Sequence, residues 1–588
     1  MGFWQKAYET YEHHAHLAGV STDSFKEPLA PVAHNTTLPD IVITINHLGE
    51  FVKAALPDEK TGKIVIPVTE ASAGRTNGAA PHPLCDNLGY IAPDDIVKHN
   101  AYVNQLTDWA ESQYGHPILR SILAYVKAGT VLTDLAFAGI PVSGDEFVCW
   151  AVVDSDDKDV VHNCWTTKEL YGLFYNYYRE KKSNEKPIFC MVTGETTIPA
   201  NMHIKGVVPI HGNAKLISAQ DTTNFVYRGR FTAAEQAFSV GYEASQKTHN
   251  ALKWLVANQG VVIGGRAFVF WNPEGKRVPS LLSPLASSTS EAPIESEENY
   301  QKELWAALHG YKNQFSDKDI AVFASFDAAT TGRLSVTSYN EIHVPEMLEK
   351  LLKWDSTCCW DGRYGISSPS LPSIVNCAFG TERKGQIEVD ENLMKRHFPR
   401  LLSCRLEGTA IPYDIVQAIA AKTMRPQAYD SQRGYLQFVA CAVVRKYYID
   451  QYNKEYAMSL EKDKKDISYQ YGRLLAVLEK AERDTYRKDE GREPNAIRLQ
   501  STYCVRPAQT AKAIIEQVKI GYYHKLKKPS RAFYEMLIGE ILSNISDYSE
   551  SERNAPLTET YILGYYLQKN ALYTKHETNN QTEENEDE

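Results

Sequence analysis

The sequence predicts an α+β protein, a large mixed α/β N-terminal region followed by an all-α C-terminal helical bundle. Two observations predict it. Between Glu146 and Trp271 short β-rich runs (FVCWAVV, PIFCMVT, GVVPIHG, AKLIS, FVFW) alternate with helical stretches at 167–181 and 233–258. From Glu388 onward the apolar residues instead recur with helical periodicity. At 588 residues the chain is too long for one core, and a length prior allows roughly three or four domains. The composition, 43% hydrophobic and 23% charged, is that of an ordinary globular protein.

In order along the chain, residues 1–145 combine a short N-terminal helix, the strand Ile41 to Ile45 and a Gly/Pro/Asn-rich loop, 71–87. Such long loops are uncommon in compact domains and are often functional. Residues 146–387 form an α+β region containing GVVIGGRAF, read as a hairpin, and the Ser/Pro/acid-rich linker 280–298. Asn299 to Leu308 reads as helix, and 320–327 and 334–339 as two further strands. Residues 388–457 form a helical connector with helices at 416–423 and 435–452. Residues 458–575 form a bundle of four helices, 467–485, 507–525, 530–545 and 557–573, each with an apolar stripe to cover. In the first of these, Ile467, Tyr471, Leu474, Leu478 and Ala481 make that stripe. Residues 576–588 form a disordered acidic tail.

No apolar run reaches the roughly 18 to 20 residues needed to span a bilayer, and the N-terminus lacks a signal-peptide layout, which places the chain in the cytoplasm with no membrane partner. Ten cysteines without a C-x-x-C read as buried thiols. There is no G-x-S-x-G, H-E-x-x-H or phosphate-binding G-x-x-x-x-G-K-[ST], and His13, His14 and His16 read as a solvated cluster. No metal site and no cofactor is therefore expected, and catalysis is not. A metal-dependent nuclease with a dispersed site and a pure scaffold stand as the alternatives.

The net charge of −10 argues at first against nucleic acid, but its distribution does not. The last thirteen residues hold six acids and no Lys or Arg, and removing them leaves −4. Between Ser501 and Arg531 seven basic residues face the single acid Glu516. A nucleic-acid protein needs a positive stripe, not a positive total.

Several blocks resemble one family. YGRLLAVLEK at 471–480, with LGYYLQKNALYT from Leu563 to Thr574, closely resembles the C-terminal region of the large signature subunit of the type I-C CRISPR interference complex, Cascade. The block from Lys186 to Ser218 resembles the family's centre, with Thr193, Gly194, Glu195, Pro199, then His203, Ile204, Lys205, Gly206 and finally Gly212, Ala214, Leu216 and Ser218. GRTNGAAPHPLCDNLGYI resembles an Arg-x-Ser-Gly loop followed by Asp-Asn and Tyr, with Asn77 where serine is expected, and FVFW at Phe268 to Trp271 matches as well. SAQ at Ser218 to Gln220 departs from an expected Ser-Phe-Asn.

The resemblance implies a non-catalytic subunit beside the backbone and capping subunits that hold the guide RNA (crRNA). It implies recognition of a protospacer-adjacent motif in target double-stranded DNA, help with duplex opening and R-loop stabilisation, and recruitment of a helicase-nuclease. Arg75, Thr76, Asn77 and Asn87 are the candidate motif readers, since Arg and Asn suit base edges and glycines let the backbone approach; an ordinary surface loop is the plain alternative. Lys205, Asn213, Lys215, Gln220, Arg228 and Arg230 are a second candidate set, for DNA or RNA backbone. Lys512, Lys519, Tyr522, Tyr523, Lys525, Lys527, Lys528 and Arg531 suit the displaced single strand by phosphate contacts and stacking, although a helix C-terminus attracts cations anyway. The family further implies a small helical subunit made from an internal start. Met458 would begin a 131-residue product, and Lys454-Glu455 can be encoded as a purine-rich ribosome-binding sequence.

Overall fold

The computed structural model describes residues 2–20, 25–58, 61–75, 78–217, 238–285, 294, 296–363, 365–429, 431–487 and 490–584. It divides into two compact units, Met1–Val278 with Asp319–Ile342, and Pro279–Lys318 with His343–Glu588. No described helix is long and apolar enough to cross a membrane.

In the first unit the helix α1 (Phe3–His13) precedes the strands β1 (His34–Thr37), β2 (Ile41–Ile45), β3 (Phe51–Ala55) and β4 (Ile64–Pro67). The short helix α2 (Glu70–Gly74), the strand β5 (Asp86–Asn87), the helices α3 (Ile96–Ala110) and α4 (Pro117–Ala128) and the strand β6 (Phe147–Val153) follow. Six of β6's seven residues are buried, the near-continuous apolar run of a strand covered on both faces. It pairs in parallel with β2, Ile41 opposite Val148, in the sheet order β3-β2-β6-β5. The expected boundary at 145/146 therefore cuts through one sheet and separates nothing. Trp109, Trp150 and Phe174, the last on α5 (Lys168–Lys182), fill the core beneath it.

A second core lies between α1, the helix α6 (Tyr242–Gln259) and a four-stranded sheet, β7 (Val261–Ile263), β8 (Arg266–Trp271), β9 (Ile320–Thr330) and β10 (Arg333–His343). GVVIGGRAF is the expected hairpin, with Gly264 and Gly265 at φ 56° and 68° in its turn, a conformation that glycine adopts without strain. His14 is not solvated as expected, since its ring lies 5.1 Å from that of Trp254 and burial lowers its pKa. Two β-rich runs also differ. PIFCMVT keeps only Ile188–Phe189 as strand, and GVVPIHG turns through a 3-10 segment at Pro209–His211, where proline cannot donate to a ladder. AKLIS contributes one bridge residue, Lys215, between Lys205 and Arg333.

The second unit is mainly helical: α7 (Val344–Thr357), α8 (Glu391–Glu407), α9 (Arg433–Tyr452), α10 (Ile467–Arg483), α11 (Pro507–Gly521), α12 (Lys528–Ser546) and α13 (Tyr561–Glu584) are its longer helices after residue 342. The described part of the expected surface linker is packed instead. Leu281 and Leu285 are buried, and the buried pair Asp355–Arg405, 3.0 Å apart, binds the backbone at 281, 283 and 285. The chain has placed polar groups there to satisfy an otherwise costly ion pair.

The helix α10 is buried on every side from Ser468 to Glu482, more than its single expected stripe requires. Its polar residues are internally paired: Arg473 with Gln568 and Glu540, and Glu479 with Lys569 and Arg483. Its tightest neighbour is α13. A Cβ on Gly472 would lie 1.9 Å from the Tyr561 carbonyl oxygen, and one on Gly564 would lie 2.0 Å from that of Tyr469, so only glycine permits this backbone contact. The connector helices complete the same unit, Thr423 meeting Tyr561, and Tyr413 and Tyr448 donating to Glu559. The helix α13 extends to Glu584, and residues 585–588 of the acidic tail lie outside the described residues.

Candidate nucleic-acid interface

After β4, the Thr69 hydroxyl caps α2 by accepting from the Ser72 amide at 3.1 Å, and the chain leaves the helix at Arg75. There the sequence expectation is revised. The Arg75 guanidinium does not face solvent as a base reader. It grips both carboxylate oxygens of the buried Asp86, at 2.7 Å to Oδ2, and donates to the Ala80 carbonyl at 3.0 Å. It also lies 4.4 Å from the Tyr90 ring centroid. Burial opposes its charge, and Asp86 more than offsets that, raising its pKa. Asp86 further accepts from the His82 and Asn87 amides, each at 2.7 Å, while the Tyr90 hydroxyl donates to the Gly78 carbonyl. Arg75 is thus a clasp that ties the start of the loop to its end, and the two residues that follow it, Thr76 and Asn77, lie outside the described residues. Asn87 is half-buried, paired with Phe147 in the sheet.

The second candidate set arrives at the same place. Lys205 Nζ donates to the Arg75 carbonyl at 3.0 Å, and Lys205 and Lys215 are bridged across an antiparallel pair. A Cβ on Gly74 would stand 3.6 Å from Lys215 Nζ. Burial lowers the pKa of Lys205, helped by the charges of Lys215 and Arg75, and burial lowers that of Lys215. Among the described residues neither lysine has a carboxylate partner. Asn213 is exposed in the turn that joins them, and Gln220, Arg228 and Arg230 lie outside the described residues.

Sequence reasoning missed what locks these pieces together. The buried carboxylate of Glu70, on α2, accepts from Lys182 of α5 at 2.9 Å and from the Asn201 and Met202 amides at 3.0 and 3.4 Å. Glu70 and Lys182 carry no local pattern that marks them, whereas Asp86 and Tyr90 stand in the Asp-Asn and Tyr of the family-like loop, a signal that could have paired them with Arg75. Three cations, Arg75, Lys205 and Lys215, meet at the foot of a loop with Asp86 the only carboxylate among their described partners. Like charges held half out of water favour an arriving anion, and a phosphodiester backbone supplies one.

On the second unit, Lys512, Lys519, Lys525, Lys527, Lys528 and Arg531 are all exposed. Lys512 and Lys519 line a groove of about 580 Å³ between α11 and α12. Tyr522 is half-buried, its hydroxyl accepting from Arg492 at 3.2 Å and its ring 5.6 Å from Lys525 Nζ. Tyr523 departs from the stacking expectation, because its ring is buried in the bundle core. Arg531 pairs with Glu535 at 2.9 Å. Met458 lies in the irregular connection between α9 and α10, so a start there divides no helix.

The sequence matches the family described as CRISPR-associated protein (Cas_Csd1) over residues 8–573, nearly its whole length. No curated protein matches it.

Proposed function

The chain belongs to the CRISPR-associated Cas_Csd1 family, the large subunit of Cascade-type complexes that works with other subunits and a CRISPR RNA, and from that premise we propose that it is the type I-C subunit that reads the protospacer-adjacent motif. The observation that carries this reading is the convergence of Arg75, Lys205 and Lys215 where the chain leaves α2. In this reading the lysines hold phosphates and fix the register of the duplex. Thr76 and Asn77, next in the chain after the clasped Arg75, meet base edges. The exposed lysines of the second unit, with Tyr522, follow the displaced strand and stabilise the R-loop. Strand cutting belongs to the recruited helicase-nuclease, so the isolated chain leaves DNA intact with added divalent metal.

The test is duplex binding by the assembled complex across a library of adjacent motifs. Thr76→Ala with Asn77→Ala should relax motif preference while leaving the salt dependence intact. Lys205→Ala with Lys215→Ala should weaken binding uniformly across sequences and reduce the salt slope by about 2, near one unit per lost phosphate contact. Binding indifferent to all four substitutions favours the scaffold alternative. The small subunit is proposed to start at Met458, and Met458→Leu should remove any short product while sparing the full chain.

A further inference from the structure

The most exposed large apolar side chain among the described residues is Phe137, at 87%. It ends a short helix, Val131–Phe137, beside a groove of about 940 Å³. The groove runs between the segment from Leu88 to Lys98 and the segment from Leu132 to Gly144. Its walls are tied together, the Gly89 amide donating to the Gly144 carbonyl at 2.8 Å, so it is a built cleft and not a gap between loose loops. Leu88, Ala92, Leu132, Ile140 and Val142 give it an apolar lining. Ile96 and Val97, 69% and 71% exposed, extend apolar surface along the adjoining turn of α3.

The charge at this groove is acidic. Asp94 and Asp95 line it and Asp145 follows directly on its Gly144 wall. The single lysine of the lining, Lys98, is already paired with Asp95 at 3.1 Å. Asp94 and Asp145 are exposed and make no ion pair among the described residues. Uncompensated carboxylates repel a phosphate backbone, so nucleic acid is the wrong occupant. Exposed apolar surface rimmed by charge of one sign marks a protein contact, and here the sign asks for a basic partner.

We propose that this groove docks a neighbouring protein subunit through a segment that presents an aromatic or aliphatic side chain next to Lys or Arg. This deepens the reading of the chain as a subunit of an RNA-guided complex and rests on it. The position is consequential, because Lys98 on the groove wall lies 5.7 Å from the Tyr90 ring centroid, the same ring that Arg75 covers at 4.4 Å. A partner seated here would share a side chain with the nucleic-acid site.

The experiment replaces Phe137 with the photo-crosslinker p-benzoylphenylalanine in the full chain, co-expressed with the protein subunits encoded beside it and a guide RNA. Illumination should give an adduct with a different protein subunit, with or without target DNA. Charge reversal by Asp94→Lys with Asp145→Lys should lower its yield about 10-fold or more. An adduct with guide RNA, with DNA or with a second copy of this chain overturns the proposal, as does no adduct in a complex that assembles and binds duplex DNA. If the chain co-purifies with no other subunit at all, the functional reading falls together with the docking proposal, which separates the two failures.

Discussion

Acidification from pH 7.5 to 5.5 should destabilise the first unit through four histidines, His34, His203 and His249 buried and His82 half-buried. Burial pushes His34, His82 and His249 down from 6.5 to about 4, and His203 to about 3. For His82 the charges of Arg75 and Lys205 add to burial and Asp86 opposes it; for His203 the neighbours are His249 and Lys215. The folded state therefore holds these rings neutral, whereas the unfolded chain protonates them below about 6.5. Stability is fully present above that value and is lost as pH falls toward the folded values. At pH 5.5 each ring costs about 1.4 kcal/mol, and the four together about 5 kcal/mol, a large share of the roughly 5–15 kcal/mol that stabilises a domain. Carboxylates with ordinary values titrate lower, and buried Glu70, whose pKa burial raises, acts in the opposite sense, so the histidines set the direction of the change. Urea unfolding followed by tryptophan emission, with Trp109 and Trp150 in the affected core, should show the midpoint falling by about 1 to 2 M. His203→Asn with His249→Gln should remove about half of the pH slope. A midpoint that does not move between pH 7.5 and 5.5, or a double variant with the full slope, refutes the reasoning.

Four further outcomes follow from specific contacts. Glu70→Ala leaves the Lys182 ammonium with Glu185 alone, at 2.8 Å, and strands two amides, costing about 2 kcal/mol, whereas Glu70→Leu with Lys182→Met should recover part of it; thermal melts in which single and double variants coincide would count against the clamp. Gly472→Ala should cost about 3 kcal/mol or more and open the bundle to protease, while Gly434→Ala on α9, with nothing within 4 Å, should be neutral or slightly stabilising. Lys519, Lys525, Lys527 and Lys528 changed together to Glu should weaken assembly on target DNA and flatten the salt slope by about 3. Tyr522→Ala should lower single-strand affinity and Tyr523→Ala should lower stability, a contrast read by parallel binding and melting curves.

What the sequence made legible is what local pattern encodes. The strand Ile41–Ile45, the start of α10 at Ile467 behind its Asp466 cap, and the glycine hairpin at 264–265 all sit where periodicity and turn chemistry put them. The misses are long-range. Arg75 reads as a free donor until Asp86, eleven residues on, folds back to meet it, and Glu70 and Lys182 are 112 residues apart. Lys205 and Lys215 look like one strand face and the loop like another site, yet the Lys205 ammonium donates to the Arg75 carbonyl and joins them. The boundary at 145/146 failed for the same reason, because β6 completes a sheet begun a hundred residues earlier.

The two words that mark the family most clearly, YGRLLAVLEK and LGYYLQKNALYT, owe part of their spelling to packing. Gly472 in the first and Gly564 in the second each meet a carbonyl of the other helix at a separation no Cβ tolerates. The Arg473 of one and the Gln568 of the other are bonded at 3.0 Å, with both side chains buried. Neither word needs to touch nucleic acid to be constrained, since any side chain at Gly472 would displace α13 and with it the contacts that Tyr561 makes with Thr423. A change in these words thus threatens the scaffold, whereas a change at Lys519 or Lys525 threatens only a surface. The motif that identifies the chain and the residues proposed to bind DNA are under different physical constraints, and only the first set is written in a pattern that packing enforces.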